Sequence, residues 1–211
     1  YKIIIIILIT FFIFSYSHNA TGINNTMKFP MEVWESKEPK AVIIAVHGFN
    51  DYSNFFKLPG NFLKEHGITS YAYDQRGFGK TKNKGIWAGT YAYANDLNIF
   101  IEYVNKIHPS LPIYVLGASM GAAIVSVART MHTNIDYVRG VIFVAPAVLT
   151  SGDIPWHQEM IMNITKYLPW LKIKETPILN IQFSDNLKIL KDLNNDPLVI
   201  KDIALGSIHG V

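Results

Sequence analysis

The chain has 211 residues, of which 49% are apolar and 17% charged, so it is long enough to bury one sizeable hydrophobic core. Its formal net charge of +3 comes from scattered basic residues, which excludes the clustered basic face that nucleic-acid binding requires. The absence of cysteine excludes disulfides, thiolate metal sites and thiol catalysis, and the seven histidines show no metal-ligand spacing. We therefore expect no metal, no cofactor and no nucleic-acid partner.

The N-terminal segment is strongly apolar over residues 3–14. A bilayer span needs about 20 apolar residues, so this run is shorter than a typical transmembrane helix. It matches the hydrophobic region of a secretory signal, with Ser15 and Ser17 at the small-residue cleavage positions. We therefore predict that residues 1–17 are a signal peptide or membrane anchor, that residues 18–28 are a polar linker, and that the protein is exported or membrane-anchored. A buried core strand is the alternative.

Residues 29–147 show an alternation of strand and helix patterns. After a short strand at residues 31–34, nearly continuous apolar runs predict strands buried on both faces, at residues 41–46, 68–73, 113–117 and 138–145. Amphipathic patterns predict helices at residues 55–66, 92–107 and 119–132. Their predicted inward faces are Phe55, Leu58, Phe62 and Leu63, then Ala94, Leu97, Ile101 and Val104, then Ala123, Ile124, Val127 and Ala128. This alternation predicts an α/β fold with a parallel sheet between two layers of helices.

The sharpest chemical signal is the G-x-S-x-G pattern of residues 117–121, directly after a predicted strand and opening a helix. A nucleophile at this position sits on a tight, strained strand-to-helix turn. Gly117 and Gly121 have no Cβ, so strand and helix can approach closely, and the helix N-terminus favours developing negative charge at Ser119. A serine that only caps the helix is the alternative. The flanking glycines favour Ser119 as a nucleophile.

A second signal, His47-Gly48-Phe49, follows the strand at residues 41–46. Acyl transfer needs two N–H donors aimed at the tetrahedral oxyanion. One is the amide after the nucleophile, here Met120, and the other lies in the loop after an earlier strand, here most simply Phe49. Gly48 lets that loop turn inward. We expect His47 to brace the loop by hydrogen bonds rather than to act as the catalytic base.

The Gly-Lys-Thr of residues 79–81 invites a nucleotide-binding interpretation. A P-loop needs a glycine where Asp74 stands, and a carboxylate there would repel phosphate. A dinucleotide-binding loop fails because Lys82 occupies its third glycine position. Both kinds of nucleotide site are therefore excluded.

Residues 148–211 differ in character and predict a helical lid. Large apolar side chains recur at helical spacing, and we expect those of Trp156, Met160, Ile164 and Leu168 to face the Ser119 pocket or a membrane. Such a lining favours acyl chains over small polar substrates. A helix that only packs on the core is the alternative, and no further convincing strand is expected.

Four motifs in this order resemble the lysophospholipase and monoacylglycerol-lipase group of α/β-hydrolases: HGFND at residues 47–51, DQRGFG at 74–79, GASMG at 117–121 and NDPL at 195–198. The resemblance implies the α/β-hydrolase fold, a parallel-rich sheet flanked by helices with a helical lid. It also implies Ser119 as nucleophile, Phe49 and Met120 as oxyanion donors, and Asp74 and Arg76 as scaffold. The implied substrate is a membrane-proximal, lipid-like ester such as a monoacyl lipid.

In this group the triad acid follows the next core strand after the lid, and the histidine follows the strand after that. The resemblance therefore implies that the last core strands and helices, with both triad partners, lie beyond Val211. Asp185 and His209 are poor replacements, because the lid, two strands and a helix would have to fit before His209.

Three interpretations follow from this pattern. The first is a serine carboxylic-ester hydrolase that is catalytically incomplete over these residues. The second is a non-catalytic lipid-binding remnant or a split-gene fragment of such a hydrolase, and the third is a related hydrolase of thioesters or short peptides. An aspartate nucleophile is excluded, because the elbow residue is Ser119.

Overall fold

The computed structural model describes residues 29–131, 137–147, 172–174, 186–204 and 206–207. Its elements in chain order are β1 (Met31–Trp34), β2 (Ala41–Val46), a 3-10 helix (Ser53–Phe56), α1 (Lys57–Glu65), β3 (Ile68–Tyr73), α2 (Thr90–Ile107), β4 (Ile113–Ala118), α3 (Met120–Thr130), β5 (Val138–Val144), β6 (Lys172–Lys174), α4 (Leu187–Asn195) and β7 (Asp202–Ala204). None of the described helices combines the length and apolar character needed to cross a bilayer. The predicted signal or anchor and the linker lie outside the described residues.

A five-stranded sheet forms the centre, in the order β1-β3-β2-β4-β5. Strands β2 to β5 run parallel, and β1 pairs antiparallel with β3. Val46 at the end of β2 pairs with Gly117 near the end of β4. Because the carboxyl ends of parallel strands meet at one edge of a sheet, this register brings the loop after β2 beside the turn after β4. The predicted α/β fold with a parallel-rich sheet is confirmed.

The face of α2 packs on the sheet as its pattern predicts, because its four predicted inward positions are at most 2% exposed. The predicted face of α3 is only half right: Ile124 and Ala128 are at most 2% exposed, but Ala123 and Val127 are partly buried, while Ala122 and Val125 are buried. In β2 every residue from Val42 to Val46 is buried. Each fully buried side chain of this size stabilises the fold by about 1.5–3 kcal/mol, so this core fixes the strand ends that carry the site.

The predicted inward face of α1 is partly wrong. Leu58 and Phe62 are 69% and 61% exposed. The helix instead meets β1 through Gly60, where an added Cβ would collide with the ring of Trp34. A glycine therefore makes the close contact, and the helix turns Leu58 and Phe62 to solvent, where Phe62 stacks on His66 at 4.2 Å between ring centroids.

Strand β5 also departs from the prediction that it is buried on both faces. Its residues Val141, Ile142, Phe143 and Val144 are between 37% and 47% exposed. Among the described residues β5 pairs with β4 alone and forms an edge of the sheet. Strand side chains are buried on both faces only where helices cover both faces of the sheet, and a continuous apolar run does not itself supply that cover.

Parts of the predicted lid region are described. The short strands β6 and β7 pair antiparallel, so the expectation of no further strand is wrong; three residues are too few to show an alternating pattern. Helix α4 begins at a true cap, where the Asn186 side chain accepts hydrogen bonds from the amides of Lys188 and Ile189 at 3.1 and 3.2 Å. Trp156, Met160, Ile164 and Leu168 lie outside the described residues.

Candidate active site

Ser119 lies on the turn between β4 and α3, with backbone angles φ 50° and ψ −115°. A non-glycine residue with positive φ typically costs about 1–3 kcal/mol, so the surrounding structure must hold the turn. The Ser119 amide donates to the carbonyl oxygen of Val144 at 2.9 Å. Its own carbonyl accepts from the amides of Ala122 and Ala147 at 3.0 and 3.2 Å. Bonds from α3 and from the end of β5 thus fix the strained serine.

The glycines on either side of Ser119 are required by space. A Cβ on Gly117 would lie 2.6 Å from the Cα of Ala122. A Cβ on Gly121 would overlap the carbonyl oxygen of Val46 and lie 2.7 Å from that of His47. Because these neighbours are backbone atoms, no side-chain rotation relieves the overlap. The G-x-S-x-G pattern therefore lets α3 lie directly against the end of β2.

The loop after β2 passes at contact distance from the serine. A Cβ on Gly48 would lie 3.3 Å from the Cβ of Ser119 and 4.0 Å from its Oγ. Within the described residues, the amides of Phe49 and Met120 donate no hydrogen bond. Met120 is the first residue of α3, where amides point out of the helix end. Among the described residues, therefore, neither N–H group of the predicted oxyanion donors has an acceptor.

His47 is fully buried and uses both ring nitrogens. Nδ1–H donates to the carbonyl of Gly48 at 2.7 Å, and Nε2 accepts from the amide of Gln75 at 3.1 Å. The Gln75 side chain donates back to the carbonyl of His47 at 2.8 Å. Burial lowers the pKa of His47 to about 4, so the ring is neutral at physiological pH. This arrangement favours the bracing role over that of a base for Ser119.

Asp74 and Arg76 join the loops around the site. Asp74 is fully buried, and its two oxygens accept from the amides of Ser53 and Lys80 at 2.9 and 2.8 Å. Arg76 makes a two-point ion pair with the buried Asp96 at 2.5 and 2.7 Å. The Asp74 carboxylate thus joins two backbone segments, as expected of a scaffold residue.

The structure also joins residues that the sequence left apart. Tyr52 donates from its hydroxyl to Oδ2 of Asp196 at 2.6 Å, although 144 positions separate them. Asp196 belongs to the NDPL motif and Tyr52 directly follows HGFND, and neither spacing nor periodicity indicates their contact. The sequence likewise gives no sign that Gln75 of the DQRGFG motif is the partner of His47.

No described histidine is hydrogen-bonded to Ser119. Besides His47, the described set contains His66, bonded to the carbonyl of Phe62 at 2.8 Å, and His108, bonded to the hydroxyl of Tyr71 at 2.8 Å. The remaining histidines, His18, His132, His157 and His209, fall outside the described residues, and so does Asp185. The described residues therefore bring the predicted nucleophile beside the loop of the predicted oxyanion donor Phe49, and no histidine among them is hydrogen-bonded to Ser119.

The described residues contain no group of three or more histidine or acidic side chains that could hold a metal ion. They do enclose a small apolar cavity between α2, α3, β4 and β5, lined among others by Leu97, Ile101, Val115 and Val125. Ser119 does not line this cavity, so it is distinct from the predicted substrate pocket.

The chain is similar in sequence to a family of serine hydrolases and to several lipases. The family model described as "Serine aminopeptidase, S33" matches residues 37–211. The human monoglyceride lipase is 23% identical over 164 residues, which are 77% of this chain and 54% of that protein. The monoacylglycerol lipase of Mycolicibacterium smegmatis is 28% identical over 116 residues, 51% of this chain and 39% of that one. The chain thus spans about half the length, or less, of the curated relatives it matches.

Solved structures share the fold. A soluble variant of the Saccharomyces cerevisiae monoglyceride lipase, in complex with a substrate analog, superposes with a TM-score of 0.72 at 24% identity, covering 88% of this chain and 64% of that one. The monoacylglycerol lipase of Paleococcus ferrophilus gives a TM-score of 0.67 at 23% identity, with 87% and 68% covered. At these identities the likeness concerns the arrangement of strands and helices.

Proposed function

Because this chain belongs to the serine aminopeptidase S33 family, which its α/β-hydrolase core matches, we propose that Ser119 is the nucleophile of a carboxylic-ester hydrolase that acts on monoacyl lipids. The observation that carries the proposal is the strained turn at Ser119, with φ 50° at the start of α3 and the Gly48 loop at contact distance. Strain at an exposed strand-to-helix turn marks a site that the fold maintains for chemistry.

The proposed reaction is acyl transfer through a covalent intermediate. The Oγ of Ser119 attacks the ester carbonyl carbon while a base accepts its proton, and the carbonyl oxygen becomes an oxyanion. The amides of Phe49 and Met120 donate to this oxyanion, and the N-terminus of α3 adds its partial positive charge. Collapse releases the alcohol with the returned proton, and water then cleaves the acyl-serine by the same steps.

The base and its acid are the unassigned part of the site. We place them on strands that continue the sheet beyond β5, as the family resemblance implies. Two observations support this placement: β5 presents an exposed apolar edge, and no described histidine is hydrogen-bonded to Ser119. A serine hydroxyl without a base is a poor nucleophile at neutral pH. The described residues alone therefore supply Ser119 with no base.

The substrate class rests on the relatives and on the predicted lid. Several curated relatives are monoglyceride or monoacylglycerol lipases, and the yeast structure holds a substrate analog. Trp156, Met160, Ile164 and Leu168 would line an acyl-chain site under the lid, and residues 1–17 would bring it to a membrane. A thioester or a short peptide is the alternative substrate, and a non-catalytic lipid-binding remnant or split-gene fragment is the alternative function.

Hydrolysis of a p-nitrophenyl acyl ester and of a monoacylglycerol tests the proposal. The 211-residue chain should turn over both feebly, since loss of a triad member typically leaves only about 10³–10⁴-fold acceleration over water. Ser119→Ala should change little in this chain. In the product of a reading frame continued beyond Val211, the same substitution should abolish activity.

Ser126→Ala is the matched control, because this α3 serine donates its hydroxyl only to the Ala122 carbonyl at 3.0 Å. It should leave hydrolysis unchanged in the longer product. Full activity of Ser119→Ala there would overturn the proposal. A longer product that binds monoacyl lipid without hydrolysing it would support the lipid-binding alternative.

A further inference from the structure

The loop after β2, residues 47–52, carries the proposed oxyanion donor Phe49, and we call it the oxyanion loop. It is attached to a distant segment of the chain at two points. On one side, the carbonyl of Asn50 accepts from the amide of Ile200 at 3.0 Å. On the other, the Tyr52 hydroxyl donates to Oδ2 of Asp196 at 2.6 Å. We call residues 196–200 with these two bonds the latch. It spans the residues that directly follow Phe49, whose amide is a proposed oxyanion donor.

The latch is built into the core rather than resting on the surface. Tyr52 is 7% exposed and Ile200 is 9% exposed, and Ile200 belongs to the main hydrophobic cluster. The second oxygen of Asp196 accepts from the amide of Leu198 at 2.8 Å, which fixes the carboxylate in the turn. A phenol donating to a carboxylate makes a stronger hydrogen bond than two neutral groups do, so the Tyr52–Asp196 bond is the firmer point.

The loop needs such support, because its own conformation is costly. Asn50 has φ 66°, and its side-chain oxygen is buried without a partner among the described residues. Short bonds hold the loop on either side of Phe49, from His47 Nδ1–H to the Gly48 carbonyl at 2.7 Å and from the Tyr52 amide to the Asp51 side chain at 2.8 Å. The turn bond that spans Phe49 itself, from the Asp51 amide to the Gly48 carbonyl, is long at 3.4 Å. Contacts from outside the loop must therefore maintain its position.

We propose that Tyr52 and Asp196 are positioning residues for the oxyanion hole: through the latch, the segment that closes the lid region holds the Phe49 amide against Ser119. The proposal rests on the proposed function, since an oxyanion hole has a role only if Ser119 reacts. Its consequence is a coupling between the lid region and the chemistry, because movement of residues 196–200 would displace the donor.

Residue-resolved amide hydrogen exchange tests the latch without any need for activity. Tyr52→Phe removes one hydroxyl, and a hydrogen bond to a charged group is strong enough to change a local opening equilibrium about tenfold or more. We expect the amides of residues 52 and 200 to exchange at least about tenfold faster in this variant, relative to the amide of Val42 in β2.

Two further variants separate the latch from general destabilisation. Tyr71→Phe also removes a hydrogen bond from a buried tyrosine, but its partner is His108 at the end of α2 and not a residue of the latch. It should leave the exchange of residues 52 and 200, relative to Val42, unchanged. Asp196→Asn keeps an acceptor for the phenol and should show a smaller increase than Tyr52→Phe. Equal exchange in Tyr52→Phe and Tyr71→Phe would overturn the latch.

The positioning role is tested by the slow reaction of Ser119 with a fluorophosphonate probe, which draws on the oxyanion donors even without a base. Tyr52→Phe should slow labelling by about tenfold, while Tyr71→Phe should not. Faster exchange with unchanged labelling would reduce the latch to a structural contact and overturn positioning. Absence of Ser119 labelling in every variant would overturn the proposed function instead, while the exchange data would still decide the latch.

Discussion

Acidification should act with opposite signs on two groups of the oxyanion loop, the buried His47 and the half-buried Asp51. Burial lowers the pKa of His47 from 6.5 to about 4 and raises the pKa of Asp51 from 3.8 to about 6. Between these values the unfolded chain binds more protons at His47, so its contribution to stability falls as the pH falls. At Asp51 the folded chain binds more protons, so its contribution rises as the pH falls.

The magnitudes follow from the same pKa values. Between about pH 8 and about pH 5, His47 should remove about 2 kcal/mol from the free energy of unfolding. Over the same interval Asp51 should add about 1.4 kcal/mol. The two effects largely cancel in the wild-type chain, so only variants that remove one group reveal the other.

Urea unfolding of the wild type, His47→Gln and Asp51→Asn at both pH values measures each contribution. His47→Gln should lose about 2 kcal/mol less than wild type on acidification, and Asp51→Asn about 1.4 kcal/mol more. The pH-independent cost of each substitution cancels in this difference. Changes of the same sign, or no change in either variant, would refute the reasoning. If His47→Gln fails to fold, NMR titration of the wild-type ring gives the pKa directly.

Two further predictions concern the packing around the site and the edge of the sheet. Gly121→Ala should lower the free energy of unfolding by about 3 kcal/mol or more, because its Cβ would overlap backbone of β2. Gly140→Ala is the control, because its Cβ would meet only the Tyr114 side chain, at 3.3 Å. It should change the free energy of unfolding by less than about 1 kcal/mol in the same denaturant titration. Equal costs for the two substitutions would show that overlap with backbone atoms does not determine the effect. Ile142→Lys places a charge on the exposed edge strand β5 and should reduce self-association measured by sedimentation. Unchanged association would show that the chains do not associate through β5.

The parts of the fold that sequence predicts are those whose information is local. Strands β2 and β3 and the buried face of α2 appear as the apolar patterns place them, because both faces of these strands and one whole stripe of this helix lie in the core. The turn at Ser119 is predictable for the same reason. The two glycines of the five-residue G-x-S-x-G pattern, together with the strand before it, are enough to predict the geometry of the turn.

What could not be predicted depends on partners far along the chain. Helix α1 packs on Trp34 through Gly60, where any side chain would collide with the Trp34 ring. The spacing of apolar residues along α1 does not indicate this contact. The bond between Tyr52 and Asp196 joins positions 144 residues apart. The apolar run of β5 does not indicate that, among the described residues, this strand lies at the edge of the sheet with its side chains partly exposed.

Mass-spectrometric mapping of the fluorophosphonate adduct tests the central claim most directly. The 211-residue chain is incubated with the probe, digested, and the modified residue is identified. The account predicts a single, slowly formed adduct on Ser119, absent from Ser119→Ala and retained in Ser126→Ala. An adduct on another serine, persisting in Ser119→Ala, would contradict Ser119 as the nucleophile. Rapid labelling of Ser119 would contradict the missing base, and His209 would then be the first residue to substitute.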